Sequence, residues 1–291
     1  MAHENIQMKS EIVSPDRSIG AILIDSGKLS IKDVEQVLRL QKIANLRFGD
    51  AAISLGLLSQ ADIQHALAKQ HDYPYLPDGN ESISGTLVAA YNPFCRQVES
   101  MRTLRSQLML RRFTGQPNRK MLSIVSPSRG EGRSFLAANL AIVFSQLGER
   151  TLLIDADMRH PCQHELFKLE NRRGFSSILA GRDDKQAVQR VNDFADLSVL
   201  TAGPIPPNPQ ELLNRAALTA LLHKLNEEFD VILIDTSPAA DFADAHTISA
   251  RAGATVVLAR KNSSRLDLVR QQTESMTRSG IEVVGTVLSE F

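Results

Sequence analysis

Six short apolar runs recur through the last two-thirds of the chain: Met121–Val125, Thr151–Ile154, Leu197–Leu200, Val231–Ile234, Thr255–Ala259 and Val283–Leu288. They are rich in Val, Ile and Leu, and stretches with helical spacing of apolar positions separate them. Continuous rather than alternating apolar runs mark strands covered on both faces. The pattern predicts an α/β domain over residues 94–291, a mostly parallel sheet with helices on both sides.

The first part of the chain has a different rhythm, which repeats with an offset of 29 residues. Gly20, Gly27, Leu29, Ser30, Asp33, Leu38 and Gln41 of residues 18–41 recur as Gly49, Gly56, Leu58, Ser59, Asp62, Leu67 and Gln70. Each copy reads as a short helix, a glycine stop and an amphipathic second helix, with Ser30 and Ser59 at the N-cap of the second. Residues 1–76 are therefore expected to form a small all-helical domain. Pro77, Gly79, Asn80, Ser82, Ser84 and Gly85 break both patterns, and residues 77–93 are expected to be a linker.

Composition changes this picture little. Of the 291 residues 43% are apolar, enough for a real core, and 33 basic residues balance 33 acidic ones. A net charge of zero argues against wrapping nucleic acid or lying on an anionic membrane. Two cysteines, Cys95 and Cys162, suit a reducing compartment. No secretory signal or run long enough to span a bilayer is visible, so a cytoplasmic protein is expected, with any membrane role coming through a partner.

The candidate chemistry sits at strand ends. Met121–Val125 runs into Ser-Pro-Ser-Arg-Gly-Glu-Gly-Arg-Ser, residues 126–134, and a helical pattern over Phe135–Leu147 follows. This strand–loop–helix order suits a phosphate-binding loop. Gly130 and Gly132 let backbone N–H groups turn inward, the helix N-terminus adds its dipole, and Ser134 offers a hydroxyl to Mg²⁺. Gly130, Glu131, Gly132, Arg133, Ser134 and Phe135 are the expected nucleotide contacts. The loop departs from the usual pattern at Pro127 and at Arg133, where a Lys is normal. Arg is a planar fork rather than a compact ammonium. Asp155, Asp157 and Asp235 end two other apolar strands, where ligands bind in parallel sheets. Buried carboxylates in such places call for a cation or solvent, and Mg²⁺ opposite a triphosphate is the expected occupant.

Together these residues resemble the bacterial tyrosine kinases. That family has a Walker A loop, an apolar A′ strand ending Asp-x-Asp and an apolar Walker B strand ending Asp-x-x-Pro. They match Gly130–Ser134, Ile154–Asp157 with Arg159, and Ile232–Pro238. Glu99-x-x-Arg102-x-x-Arg105 resembles the helix through which the family assembles into a ring. Gly203–Leu213, with Pro206, Pro207, Asn208, Pro209 and Glu211, resembles the loop before its next long helix. The resemblance implies ATP and Mg²⁺ as cofactors and phosphoryl transfer to tyrosine. Asp155 and Asp157 would serve the metal and orient the phenol, Asp235 would hold Mg²⁺ through water, and Arg133 would contact the β/γ-phosphates. It also implies an inner-membrane partner that regulates polysaccharide chain length. The family's tyrosine-rich tail is not seen after Leu288, so the expected acceptors are Tyr73, Tyr75, Tyr91 or another protein.

The helical repeat resembles the N-terminal domain of type II secretion and type IV pilus ATPases, some of which bind cyclic di-GMP. By that resemblance Ile19, Gly20, Gln41, Arg47, Phe48, Gly49 and Gln70 are candidate ligand contacts. The alternative is a protein-docking module with the same skeleton. Two further readings of the whole chain stand beside the kinase. One is a nucleotide-dependent scaffold for polysaccharide export. The other is a positioning ATPase, whose extra loop Lys is Ser128 here.

Overall fold

In the computed structural model, which describes residues 18–290 apart from 71, 72, 78, 118 and 183–185, all six apolar runs are strands. The chain divides into two compact units that meet between Pro74 and Tyr75.

The first unit holds α1 (Ile19–Asp25), α2 (Ile31–Ala44), α3 (Phe48–Ser54) and α4 (Gln60–Gln70). The repeat is visible in its caps. The Ser30 N–H donates to Asp33 Oδ2 at 2.8 Å and the Asp33 N–H to Ser30 Oγ at 3.2 Å. Ser59 and Asp62 make the same two bonds at 2.9 and 3.2 Å, a reciprocal cap that satisfies two helix-end donors at once. Lys28 adds a 2.8 Å ion pair to Asp62, the largest cause of the drop in its pKa to about 2.

The second unit opens with α5 (Val88–Tyr91) and α6 (Arg96–Arg111). Then follow β1 (Met121–Val125), α7 (Arg133–Ser145), β2 (Thr151–Asp155), α8 (Gln163–Leu166) and α9 (Phe175–Leu179). Next come β3 (Val188–Arg190), β4 (Leu197–Leu200), α10 (Pro209–Leu213), α11 (Ala216–Glu228) and β5 (Val231–Asp235). The chain ends with α12 (Asp244–Ala252), β6 (Ala254–Arg260), α13 (Leu266–Arg278) and β7 (Glu282–Ser289). The strand order is β3-β4-β2-β5-β1-β6-β7, and only the β3–β4 pair is antiparallel. Successive strand residues face opposite layers. Leu122, Ile124, Leu153 and Leu233 pack under α7, while Leu152, Ile154, Ile232 and Ile234 pack on the other face with Leu212, Leu222 and Ile248.

The expected linker over residues 77–93 is not a linker. Ile83, Leu87, Ala89 and Ala90 are buried in the same cluster as Leu122 and Leu140. The Ala89 N–H donates to Asn139 Oδ1 at 2.9 Å, and Gln146 Nε2 donates to the Ala89 carbonyl at 3.0 Å. Proline, glycine and serine announce breaks in regular structure; they do not announce exposure. This stretch covers α7, which is buried on nearly every side. No helix among the described residues is long and apolar enough to cross a membrane.

Candidate functional site

The site lies where β1, β2 and β5 end side by side. Asp155 and Asp235 are register partners across the β2–β5 pair, so the sheet itself brings two strand-end carboxylates together beside the loop that leaves β1. In that loop Gly130 and Gly132 have φ of 79° and 97°, left-handed backbone that a side chain would strain by about 1–3 kcal/mol. The turn delivers Gly132 as the N-cap of α7.

The loop is held from beneath. Glu131 is buried and accepts from the Ser128 N–H at 2.7 Å and from the Ser264 hydroxyl. Arg260 donates to the Gly130 carbonyl at 2.9 Å. The Ala239 and Ala240 N–H groups, beyond β5, each donate to the loop at 3.0 Å.

Arg133 departs from its expected role. Its guanidinium is buried, with Nε donating to the Thr236 carbonyl at 2.9 Å and Nη1 donating to the Ser128 carbonyl at 2.7 Å and to Ser126 Oγ. A planar fork fits several protein acceptors at once, which a lysine ammonium on its flexible stem would not. Arg133 therefore ties the loop to the end of β5, and its engaged nitrogens would have to leave protein acceptors to meet a phosphate.

Backbone donors fix Asp155 and Asp157, and a side-chain donor holds Asp235. Asp155 Oδ2 accepts from the Cys162 and Gln163 N–H groups at 3.1 and 3.0 Å, and Oδ1 from Asp157 at 3.3 Å. Burial, then the charge of Asp235, still pushes its pKa well above the carboxylate range. Asp157 Oδ1 accepts from the Arg159 and His160 N–H groups at 3.1 and 3.0 Å. Arg159 pairs with buried Asp244 at 2.7 and 3.3 Å and lies 3.8 Å over the Phe242 ring, which pins the Asp155–Arg159 turn to α12. Asp235 is fully buried. Its Oδ2 accepts from Gln163 Nε2 at 2.8 Å, its Oδ1 has no partner, and burial pushes its pKa up to about 6. The Cys162 thiol, pushed up to about 12 by burial, stays neutral.

Unpaired buried polar atoms gather here: Gln163 Oε1, Asp235 Oδ1 and Ser237 Oγ. Such atoms are costly without a partner, and a hydrated cation would supply donors to all three. Among the described residues no three His, Cys, Asp or Glu side chains form a metal-binding group. A cation here would take most ligands from nucleotide and water, which suits Mg²⁺.

A family model described as an AAA domain matches residues 119–264. Tyrosine-protein kinase wzc of Salmonella typhimurium is 36% identical over 205 residues, 70% of this chain and 28% of that one. Tyrosine-protein kinase YwqD of Bacillus subtilis is 34% identical over 204 residues, 70% of this chain and 85% of that one. The chain belongs to the bacterial tyrosine kinase family. It thus spans 28% of the length of wzc. The solved kinase domain of Escherichia coli tyrosine kinase ETK matches with a TM-score of 0.67 at 27% identity, covering 76% of this chain and 92% of that one.

The other residues singled out in this bacterial tyrosine kinase family member have local roles. Glu99 and Arg102 pair with each other at 2.9 Å. Arg105 donates at 2.8 Å to the Val143 carbonyl, in the last turn of α7, where carbonyls lack intrahelical donors. Phe135 packs against the main core. The Tyr91 hydroxyl donates to the Ile83 carbonyl at 2.8 Å. The loop from Gly203, between β4 and α10, lines with residues of α9 and α10 a cavity of about 350 Å³ that includes Arg182, Ile205 and Arg215.

In the first unit one of the two repeated glycines has a packing reason. A Cβ on Gly20 would meet Phe48 and Val34 at 3.6 Å, an ordinary contact, whereas one on Gly49 would meet Ile63 at 3.1 Å, close enough that the neighbour would have to shift. Gly49 therefore lets the helices of its hairpin approach, and space puts no such demand on Gly20. Ile19, Gln41, Phe48 and Gln70 are half-buried and Arg47 is exposed. Gln163, Asp244, Arg260 and Ser264 escaped the sequence reading, because nothing in their local pattern marks them.

Proposed function

We propose that this chain is an ATP-dependent protein-tyrosine kinase acting in exopolysaccharide export. The observation that carries the reading is the registered, buried pair Asp155 and Asp235 beside a left-handed glycine loop at a helix start. ATP would lie with its phosphates on the N–H groups of Gly130–Ser134. Ser134, Asp155 and Asp235 would hold Mg²⁺, which screens phosphate charge when bound. Asp157 Oδ1 is committed to backbone donors, leaving Oδ2 to orient a tyrosine hydroxyl and take its proton. Arg133 contributes by fixing the loop, with its charge close to the phosphates. The test is Mg·ATP incubation of the purified chain, alone and with its co-purified membrane partner, read by mass spectrometry for phosphotyrosine. Phosphotyrosine that disappears in Asp157→Asn supports the kinase. Tight nucleotide binding with no phosphotyrosine on either protein favours the scaffold.

The family resemblance extends this proposal to assembly and regulation. A ring would use the α6 face carrying Glu99, Arg102 and Arg105, with an inner-membrane chain-length regulator as partner. Because Arg105 also anchors α6 to α7, the cleaner variant is Glu99→Lys with Arg102→Glu. Light scattering should show a lower mass than wild type with an unchanged melting temperature; equal masses would remove the α6 contact. Cyclic di-GMP would bind the first unit near exposed Arg47. Calorimetry on the full chain should show binding that Arg47→Ala weakens, and no heat at about 100 µM ligand, too weak for a signal, would leave the docking-module reading.

A further inference from the structure

Gln163 touches three parts of the candidate site, one through its backbone and two through its side chain. It opens the four-residue helix α8 and is 0% exposed. Its N–H donates to Asp155 Oδ2 at 3.0 Å. Its Nε2 donates to Asp235 Oδ2 at 2.8 Å and to the Ser134 carbonyl at 3.1 Å. One residue thus joins the A′ aspartate, the Walker B aspartate and the end of the phosphate loop. The amide orientation follows from chemistry, because a carbonyl and a carboxylate can only accept, so the nitrogen must face them.

That leaves Oε1 on the opposite side of the amide, buried and without a partner. Asp235 Oδ1, on the side chain to which Gln163 is bonded, is buried and unpartnered too. Two acceptors with no donor call for a molecule that brings hydrogens. A magnesium-bound water is such a donor, with its hydrogens polarised by the metal. We propose that Gln163 is a positioning residue of this site: its NH₂ group orients Asp235 against the loop, and its Oε1 accepts from water in the Mg²⁺ shell. The proposal rests on the nucleotide–magnesium reading above. A purely structural Gln163 would need only the NH₂ bonds, and its Oε1 would be a buried acceptor with nothing to accept.

The test uses the full chain, with ADP as probe and calorimetry with Mg²⁺ and with EDTA. The readout is the ratio of the two affinities, which requires no turnover. Gln163→Leu should lower that ratio about tenfold, as losing an outer-sphere partner does, with ADP affinity in EDTA unchanged. An unchanged ratio, or equal losses in both conditions, overturns the proposal in favour of a packing role. If Gln163→Leu does not fold, Gln163→Met decides, since it keeps the length of the side chain and removes both amide groups. A ratio lowered about tenfold supports the proposal, and a ratio equal to wild type overturns it. If wild type itself binds no ADP with Mg²⁺, the nucleotide reading falls first and this inference with it, a result distinct from wild type binding with an unchanged variant ratio.

Discussion

Asp235→Asn is expected to make the nucleotide-free protein more stable at neutral pH and to weaken Mg²⁺-dependent ADP binding and phosphoryl transfer by about tenfold to a hundredfold. The two effects have one cause. Asp235 is fully buried, one of its oxygens has no donor, and burial lifts its pKa to about 6. Between the ordinary carboxylate value of 3.8 and about 6, the folded state holds a proton that the unfolded state has released. Its contribution to stability is therefore fully present below the lower value and is lost as pH rises through the higher one. Asp155, raised in the same direction, adds to this. At pH 7 the apo protein carries buried charge at a net cost. Asparagine removes that charge and still accepts from Gln163. It cannot present a carboxylate to a hydrated cation, so function suffers where stability gains. The wild type should also lose Mg²⁺-linked affinity as pH falls below about 6, because protons compete for the same oxygens, and this loss should be smaller in the variant. Melting curves across pH and calorimetry with and without Mg²⁺ check both halves. An apo melting temperature that falls at pH 7 would show that the Asp235 charge stabilises the fold.

Gly174→Ala should be the most destabilising methyl addition in the second unit. A Cβ there would lie 2.2 Å from the Thr201 carbonyl oxygen and 2.5 Å from the Gly203 nitrogen, both backbone atoms. Its φ of 172° is extended backbone that any residue adopts, so the constraint is space alone. The contact is tight because the Phe175 and Ser176 N–H groups pair at 2.8 Å with the Thr201 and Ala202 carbonyls, drawing the start of α9 onto the segment leaving β4. Backbone cannot step aside as a flexible side chain does. Overpacking of this kind costs about 3 kcal/mol or more, which lowers the melting temperature of a unit this size by roughly 10 °C. Gly85→Ala is the control, since nothing lies within 4 Å of its Cβ and its φ is not left-handed. Equal melting temperatures for the two variants would mean that the Gly174–Thr201 approach is looser than described. Because this segment leads into the Gly203 loop, the variant should also disturb the cavity bounded by Arg182 and Arg215.

The sequence by itself determined the sheet. Runs such as Val231–Ile234 and Leu152–Ile154 are apolar at every position, and only a strand covered on both faces buries such a run in so few residues. The strand-end aspartates, the glycine turn and the N-cap serines Ser30 and Ser59 were legible for the same reason, since each is a local rule written in neighbouring residues. The antiparallel strand Val188–Arg190 was not legible. It is three residues at the sheet edge, and its pairing partner rather than its composition makes it a strand. Residues 77–93 were misjudged because local composition records breaks in regular structure, whereas burial against α7 is settled by the tertiary packing. Only the tertiary structure decided that Arg133 turns inward onto Ser128 and Thr236, and that Gln163 reaches both Asp235 and Ser134. Those bonds join residues 29 to 103 positions apart, apart from the Arg133–Ser128 bond. Hydrogen-bond geometry acts over about 3 Å, and which distant groups come within that range is set by the order in which the strands pair.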